Sequence, residues 1–166
     1  MSDPASELEY DLRISINYHR KREFFFRCVE GFSKAVSLLA LASLGFDVNW
    51  FTWSIAMLSA GFTIATIVID CSGLAAKHKE LAGRFCDILA KTPVANSIPE
   101  LRTEFFKVSG DEPPSLHGLS QLCQDEQDAA EGRAVDPKRF TWGRRTAAQF
   151  GFGQRDIDFP KQSADV

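Results

Sequence analysis

Two uncharged apolar runs dominate the pattern of hydrophobic and polar positions along the chain. The first covers residues 35–46 and the second covers residues 48–69, and only Asp47 separates them. At about 1.5 Å per residue, a helix over the second run is roughly 33 Å long, enough to cross the ~30 Å hydrocarbon core of a bilayer. The first run reaches that length only if its helix starts near residue 28 and takes in Glu30 and Lys34. The pattern therefore predicts a transmembrane hairpin over 28–70, with spans at about 28–46 and 48–69.

Basic residues lie on the same side of both predicted spans. The run Arg20–Lys21–Arg22 precedes the first span, and Lys77 and Lys79 follow the second, whereas the connecting turn has no Lys or Arg. The positive-inside rule then predicts that both termini are cytoplasmic and that the chain is a multi-pass membrane protein. Two alternative interpretations stay open: a soluble protein with a buried hairpin, and a cleaved signal peptide.

The flanking sequence predicts further helices and no strand. Residues 1–27 form a cytosolic N-terminal helix that starts near Glu7, residues 71–131 form a cytosolic helical region, and residues 132–166 form a basic-aromatic tail. The expected fold is an all-α membrane protein, a two-helix transmembrane hairpin with cytosolic antiparallel helical extensions and short C-terminal helices.

Helix boundaries follow from the positions of proline and of capping residues. The second span is expected to continue past the membrane as one helix that ends before Thr92–Pro93. Pro99 fits the start of a short helix over 100–108. Ser115 is expected to cap a further helix that reaches about Ala130.

The two cytosolic extensions are predicted to pack against each other as a stalk. Apolar residues of the second extension recur at spacings of four and three, a pattern typical of coiled coils. The facing residues of the first extension are Ile14, Tyr18 and Phe25. His78 lies on this seam, as a hydrogen-bonded interface residue or as a sensor of pH or ligand. The candidate seam residues are Tyr18, His78, Leu81 and Phe85, flanked by Leu74 and Ile88.

A stripe of small and polar residues runs along the second span at spacings of four and three. In lipid, such a stripe allows close helix approach and hydrogen bonds between helices, or it lines a hydrated pore if several copies assemble. Glu30 and Lys34, one helical turn apart, are candidate membrane-edge charges that can pair. The stripe consists of Thr52, Ala56, Ser59, Thr63, Thr66 and Asp70.

Composition and motifs give no indication of an enzyme or of a cofactor site. The net charge of −3 argues against a nucleic-acid partner, although the aromatic and basic residues of the tail fit either a bilayer surface or single-stranded nucleic acid. The chain has no glycine-rich phosphate loop, no nucleophile elbow and no zinc-ligand spacing. Its four cysteines form no CxxC pair and are expected to stay reduced in the cytosol.

Several short motifs resemble the SLATT family, the two-transmembrane effector domains of bacterial conflict systems. The resemblance rests on Tyr18-His19 with the basic-aromatic run after it, and on Ala75-x-x-His78-x-x-Leu81-x-x-x-Phe85. It continues with Glu112-Pro113-Pro114 and then Leu119, Cys123 and Glu126, over roughly residues 10–130. Members often have Asn before that last Glu, where this chain has Asp125.

The resemblance implies an oligomeric pore-forming or membrane-perturbing effector of antiviral defence in the bacterial inner membrane. The expected partners are the lipid bilayer, further copies of the chain, and a cytosolic sensor or regulatory protein. A different hypothesis is a non-conducting membrane scaffold that recruits a cytosolic partner through residues 93–131.

Overall fold

The chain is a set of helices connected by short segments. The computed structural model describes residues 3–43, 50–94, 97–136 and 141–150. These residues contain helices and no strand, so the all-helical prediction is confirmed for them. The helices are α1 (Pro4–Ser43), α2 (Trp50–Val68), α3 (Cys71–Lys91), a 3-10 turn (Thr92–Val94), α4 (Ile98–Gly110), α5 (His117–Ala130) and α6 (Trp142–Gln149).

The chain divides into two compact units. The first unit is Met1–Pro113 and contains α1 to α4, and the second is Pro114–Val166 and contains α5 and α6. The predicted turn of the hairpin, with Asp47, and the end of the tail, residues 151–166, lie outside the described residues.

Helix α1 is one continuous helix of 40 residues, roughly 60 Å long. It begins at Pro4, three residues before the predicted start at Glu7, because Asp3 caps it. The Asp3 carboxylate accepts a hydrogen bond from the backbone N–H of Ala5, and its carbonyl accepts one from Glu7. Proline is favoured in the first turn of a helix, where its missing N–H would have no partner.

The second apolar run and the helical extension after it are two helices, which corrects the prediction of one continuous helix. Helix α2 ends at Val68, helix α3 begins at Cys71, and the two meet at a bend of 42°. Asp70 lies between them in the left-handed conformation, with φ 48° and ψ 55°. Its side chain accepts a hydrogen bond of 3.1 Å from the backbone N–H of Gly73. A carboxylate in this position satisfies one of the free N–H groups that every helix start exposes.

Helices α1 and α3 are antiparallel and form the stalk, here residues 4–26 of α1 together with α3. Two clusters of buried side chains hold them together. The cluster next to the hairpin contains Phe26, Cys71 and Ala75. The distal cluster also includes α4, and its members are Leu8, Leu12, Ile16, Leu81, Phe85, Ile88, Leu101 and Val108.

The packed face of α1 differs from the predicted one. Tyr18 is buried as expected, but Ile14 and Phe25 are only half-buried. The centre of the face is instead the series Leu12, His19 and Phe26, at spacings of seven. Tyr18 and Phe25 are also seven apart and lie one position before His19 and Phe26, and Phe25 packs against the cluster of Phe26, Cys71 and Ala75. The predicted face is therefore the edge of the packed one.

The second unit packs α5 on α6. Helix α5 ends at Ala130 as predicted, but it starts at His117, and Ser115 does not cap it. The residue at the cap is Leu116, whose side chain offers no acceptor. Glu126 of α5 and Arg145 of α6 form an ion pair of 3.7 Å.

Candidate functional site

The inner face of the hairpin, residues 28–43 of α1 and 50–68 of α2, is polar. The hydroxyl groups of Ser37 and Thr63 are 2.8 Å apart, and those of Ser33 and Thr66 are 3.2 Å apart. Each pair joins one helix to the other, so two hydrogen bonds between side chains connect α1 and α2. The stripe residues Thr63 and Thr66 are therefore helix-packing residues in the single chain.

The other stripe residues have different surroundings. Ser59 is buried, and Ala56 is half-buried beside it on a second, shallower cavity. Asp70 leaves the stripe because it caps α3, and its side chain is exposed. The side chain of Thr52 lies outside the described part of the chain. Among the described side chains, the stripe from Ala56 to Thr66 therefore lies along the contact between α1 and α2, in the two cavities.

A groove of about 640 Å³ opens beside the paired hydroxyls. Glu30 and Lys34 lie on its rim and form an ion pair of 2.7 Å. Asp70 reaches the same groove from the start of α3, and Leu38, Leu41 and Ile67 form its apolar part. The candidate membrane-edge charges therefore lie next to the hydroxyl row, at the end of the hairpin that joins the stalk.

The outer face of the hairpin is apolar and exposed. Leu58 is 72% exposed and Val68 is 77% exposed. A soluble single chain rarely exposes a contiguous apolar surface of this extent. The hairpin thus has hydroxyl pairs and the Phe32–Phe62 ring contact between its helices, and large exposed apolar side chains away from both cavities, which are Leu39, Met57, Leu58 and Val68.

A test by length and hydropathy alone finds no single membrane-spanning helix among the described residues. One bent pair of helices does pass it, formed by Trp53–Val68 and Cys71–Val94.

Two histidines meet inside the stalk. The Nδ1 atoms of His19 and His78 are 2.8 Å apart, and both side chains are almost completely buried. At this distance one nitrogen carries a proton and donates it, and the other accepts it. Aromatic rings enclose the pair, since Phe85 stacks on His19 at 5.6 Å and Phe26 stacks on His78 at 5.8 Å.

The second nitrogen of His19 faces a carboxylate across the edge of the stalk. Nε2 of His19 is buried and makes no hydrogen bond within the described residues, and it lies 3.5 Å from Oε1 of Glu112. Glu112 follows α4, and the adjacent Asp111 holds this segment against α3 through a 2.7 Å ion pair with Arg84. The segment after α4 therefore places a negative charge on one side of the histidine pair.

The electrostatic surroundings keep His78 neutral around pH 7. Burial, the neighbouring His19 and the positive charges of Arg22 and Lys77 lower the pKa of His78 to about 4. The guanidinium of Arg22 lies 4.5 Å from the centre of the Phe26 ring, which in turn covers His78. A proton on His78 would therefore have two cations nearby and no carboxylate in contact among the residues described.

The sequence placed His78 on the seam but did not pair it with His19. The available signal was the spacing, because His19 lies seven residues after Leu12 and seven before Phe26, while His78 lies seven before Phe85. In antiparallel helices these two positions meet midway along the stalk. The other seam candidates, Tyr18, Leu81 and Phe85, are all buried.

The remaining chemistry-bearing residues stay dispersed. The four cysteines, Cys28, Cys71, Cys86 and Cys123, are free. Among the described residues, no three of His, Cys, Asp and Glu come together as a metal site. The paired Nδ1 atoms, 2.8 Å apart, are at hydrogen-bond distance and share one proton, so the donor nitrogen has no free lone pair.

The sequence matches no protein-family model, no curated protein and no solved structure.

Proposed function

We propose that the chain is an integral protein of the bacterial inner membrane and that several copies assemble into a pore that disrupts the membrane during defence. The observation that carries the proposal is the inverted arrangement of the hairpin, with hydroxyls inside and aliphatic side chains outside. In water this arrangement loses the hydrophobic contribution of every exposed aliphatic side chain. In lipid it is favourable, because polar side chains bond between helices and apolar ones contact acyl chains.

The groove supports oligomerisation. Two helices cannot enclose a channel, and the groove, which carries Glu30, Lys34 and Asp70 beside its apolar part, lies open along one side of the hairpin. Polar and charged groups at membrane depth are costly unless they face protein or water. A ring of hairpins that turn this groove inward encloses a channel and lets the charged groups face water. The resemblance to SLATT effectors favours the same assembly.

One observation favours a second candidate, a non-conducting scaffold. The hydroxyls of Ser33, Ser37, Thr63 and Thr66 already have partners inside one chain, so they need no water. A scaffold would present its cytosolic helices to a partner, and Phe106 of α4 is 63% exposed.

Depolarisation of cells on induced expression separates the two functions. A potential-sensitive dye reports the membrane potential of cells that express the wild-type chain or the double variant Thr63→Val/Thr66→Val. Valine keeps the shape of threonine and removes the hydroxyl, and Leu58→Ile, at an exposed position of α2 away from both cavities, is the matched control. The pore predicts rapid depolarisation by the wild type and by Leu58→Ile, and its loss in the double variant.

An intact potential in cells expressing the wild type would contradict a pore that opens unaided. Depolarisation that persists in the double variant would contradict a pore lined by this stripe. In the first case the scaffold becomes the better account, and a partner of α4 is sought next. In the second case the pore stands, and the charged groove residues Glu30, Lys34 and Asp70 are varied next.

A further inference from the structure

We propose that the His19–His78 pair is an acid-sensitive latch, which holds α1 and α3 together while the two imidazoles share one proton and releases them when both are protonated. The inference does not depend on whether the hairpin conducts ions. It rests on the geometry of the pair, on its burial and on the charges around it.

The distance between the rings limits how many protons the pair can hold while the stalk stays closed. At 2.8 Å, an Nδ1–H group must face a bare Nδ1, since two N–H groups facing each other leave no acceptor. The pair can take up one extra proton, because a charged imidazole can donate to a neutral one. A second proton removes the last acceptor and places two positive charges in contact. The rings must then separate.

Burial of the rings means that they can separate only if the helices move apart. Neither ring can turn to water in place, because His19 and His78 are 0% and 2% exposed and stacked Phe85 and Phe26 cover them. Separation of the rings therefore requires α1 to move away from α3. The bend at Asp70 joins α3 directly to α2, so a movement of α3 also reaches the hairpin.

The charged groups differ on the two sides of the pair. Glu112, from the segment after α4, lies 3.5 Å from Nε2 of His19. On the other side, Arg22 of α1 and Lys77 of α3 act on His78, and Tyr18 presents its ring at 6.4 Å from it. A second proton on His78 therefore meets cations from both helices.

The direction of the pH dependence follows from His78. Its pKa in the closed stalk is about 4, below the ordinary value of 6.5, so the closed state binds the proton more weakly than the open state. The closed stalk is fully stabilised above about pH 6.5 and loses that stabilisation as the pH falls from 6.5 toward 4. Two pH units below 6.5 shift the equilibrium toward the open stalk by about 100-fold.

Carbene footprinting of the full chain in lipid nanodiscs tests the latch. An uncharged diazirine probe labels exposed side chains by chemistry that does not depend on pH, and mass spectrometry reads the peptides that contain Phe26 and Phe85. The variant His78→Asn keeps a polar group near the Nδ1 position but cannot take up a proton. His117→Asn removes an exposed histidine of α5 and is the matched control.

Labelling of both peptides should rise between pH 7.5 and pH 4.5 in the wild type and in His117→Asn, and stay constant in His78→Asn. A constant signal in the wild type, or an equal rise in His78→Asn, would overturn the latch. If His78→Asn is already labelled at pH 7.5 because it folds poorly, His19→Asn takes its place.

A second measurement keeps the test independent of any variant. Nuclear magnetic resonance of the wild type with ¹⁵N-labelled histidine shows whether the Nδ1 atoms share one proton at neutral pH. The latch predicts that both become protonated over the same pH range in which labelling rises. Full protonation of both rings without any rise in labelling would refute it.

Discussion

At the scale of single residues, burial separates side chains that hold the stalk from neighbours of the same type on its surface. Phe85 is 0% exposed, stacks on His19 and lies 5.5 Å from the ring of Phe105. Phe106, one residue along α4, is mostly exposed. The two phenylalanines provide a matched pair, because truncation removes the same atoms from opposite environments.

Phe85→Ala is expected to destabilise the stalk by about 3–5 kcal/mol, since it leaves a cavity between α1, α3 and α4 and uncovers the histidine pair. Phe106→Ala should change stability by less than about 0.5 kcal/mol. Hydrogen exchange of α3 amides in nanodiscs measures both effects. Equal protection in the two variants would mean that Phe85 is not in the core of the stalk.

At the scale of the helices, the break between α2 and α3 depends on one side chain. Asp70 has a left-handed backbone and caps α3 through Gly73. A Cβ at Gly73 would meet the Asp70 carboxylate, so a larger residue there would force that carboxylate to shift. Asparagine tolerates the left-handed conformation and caps almost as well as aspartate, whereas alanine does neither.

Asp70→Ala is therefore expected to weaken the start of α3 by about 2 kcal/mol, the sum of a lost cap and an unfavourable backbone conformation. Asp70→Asn should be close to the wild type. Exchange of the Gly73 amide reports the cap directly, and Ser72→Ala, an exposed neighbour in the first turn, is the control. Fast exchange in Asp70→Asn as well would show that the charge, and not the cap, fixes this turn.

Helix boundaries were predictable where a local signal marks them. Pro93 and Pro99 mark the end of α3 and the start of α4, and the four-three spacing around Phe85 located the seam. The break at Asp70 was missed because no glycine or proline lies in the eight residues before it. The contact between His19 and His78 was missed because it joins residues 59 positions apart, and only the alignment of the two helices brings them together.

At the scale of the whole molecule, α1 connects the stalk to the hairpin without interruption. Its first part packs on α3 through apolar side chains, and its last part contacts α2 through hydroxyls. This change from apolar to polar contacts falls between Phe26 and Ser33, next to the basic residues at Arg20–Arg22. Packing suited to water thus gives way to packing suited to lipid at the expected membrane surface.

The insertion of the hairpin into a bilayer underlies both proposed functions, and quenching of tryptophan fluorescence by brominated lipids tests it most directly. In a Trp142→Phe background the remaining tryptophans are Trp50 and Trp53, which are exposed at the start of α2. Tryptophans at the ends of a span lie at the interface. Lipids brominated close to the headgroup should therefore quench strongly, and lipids brominated near the chain end should quench less. Equal fluorescence in brominated and ordinary lipids would show that the hairpin does not enter the membrane.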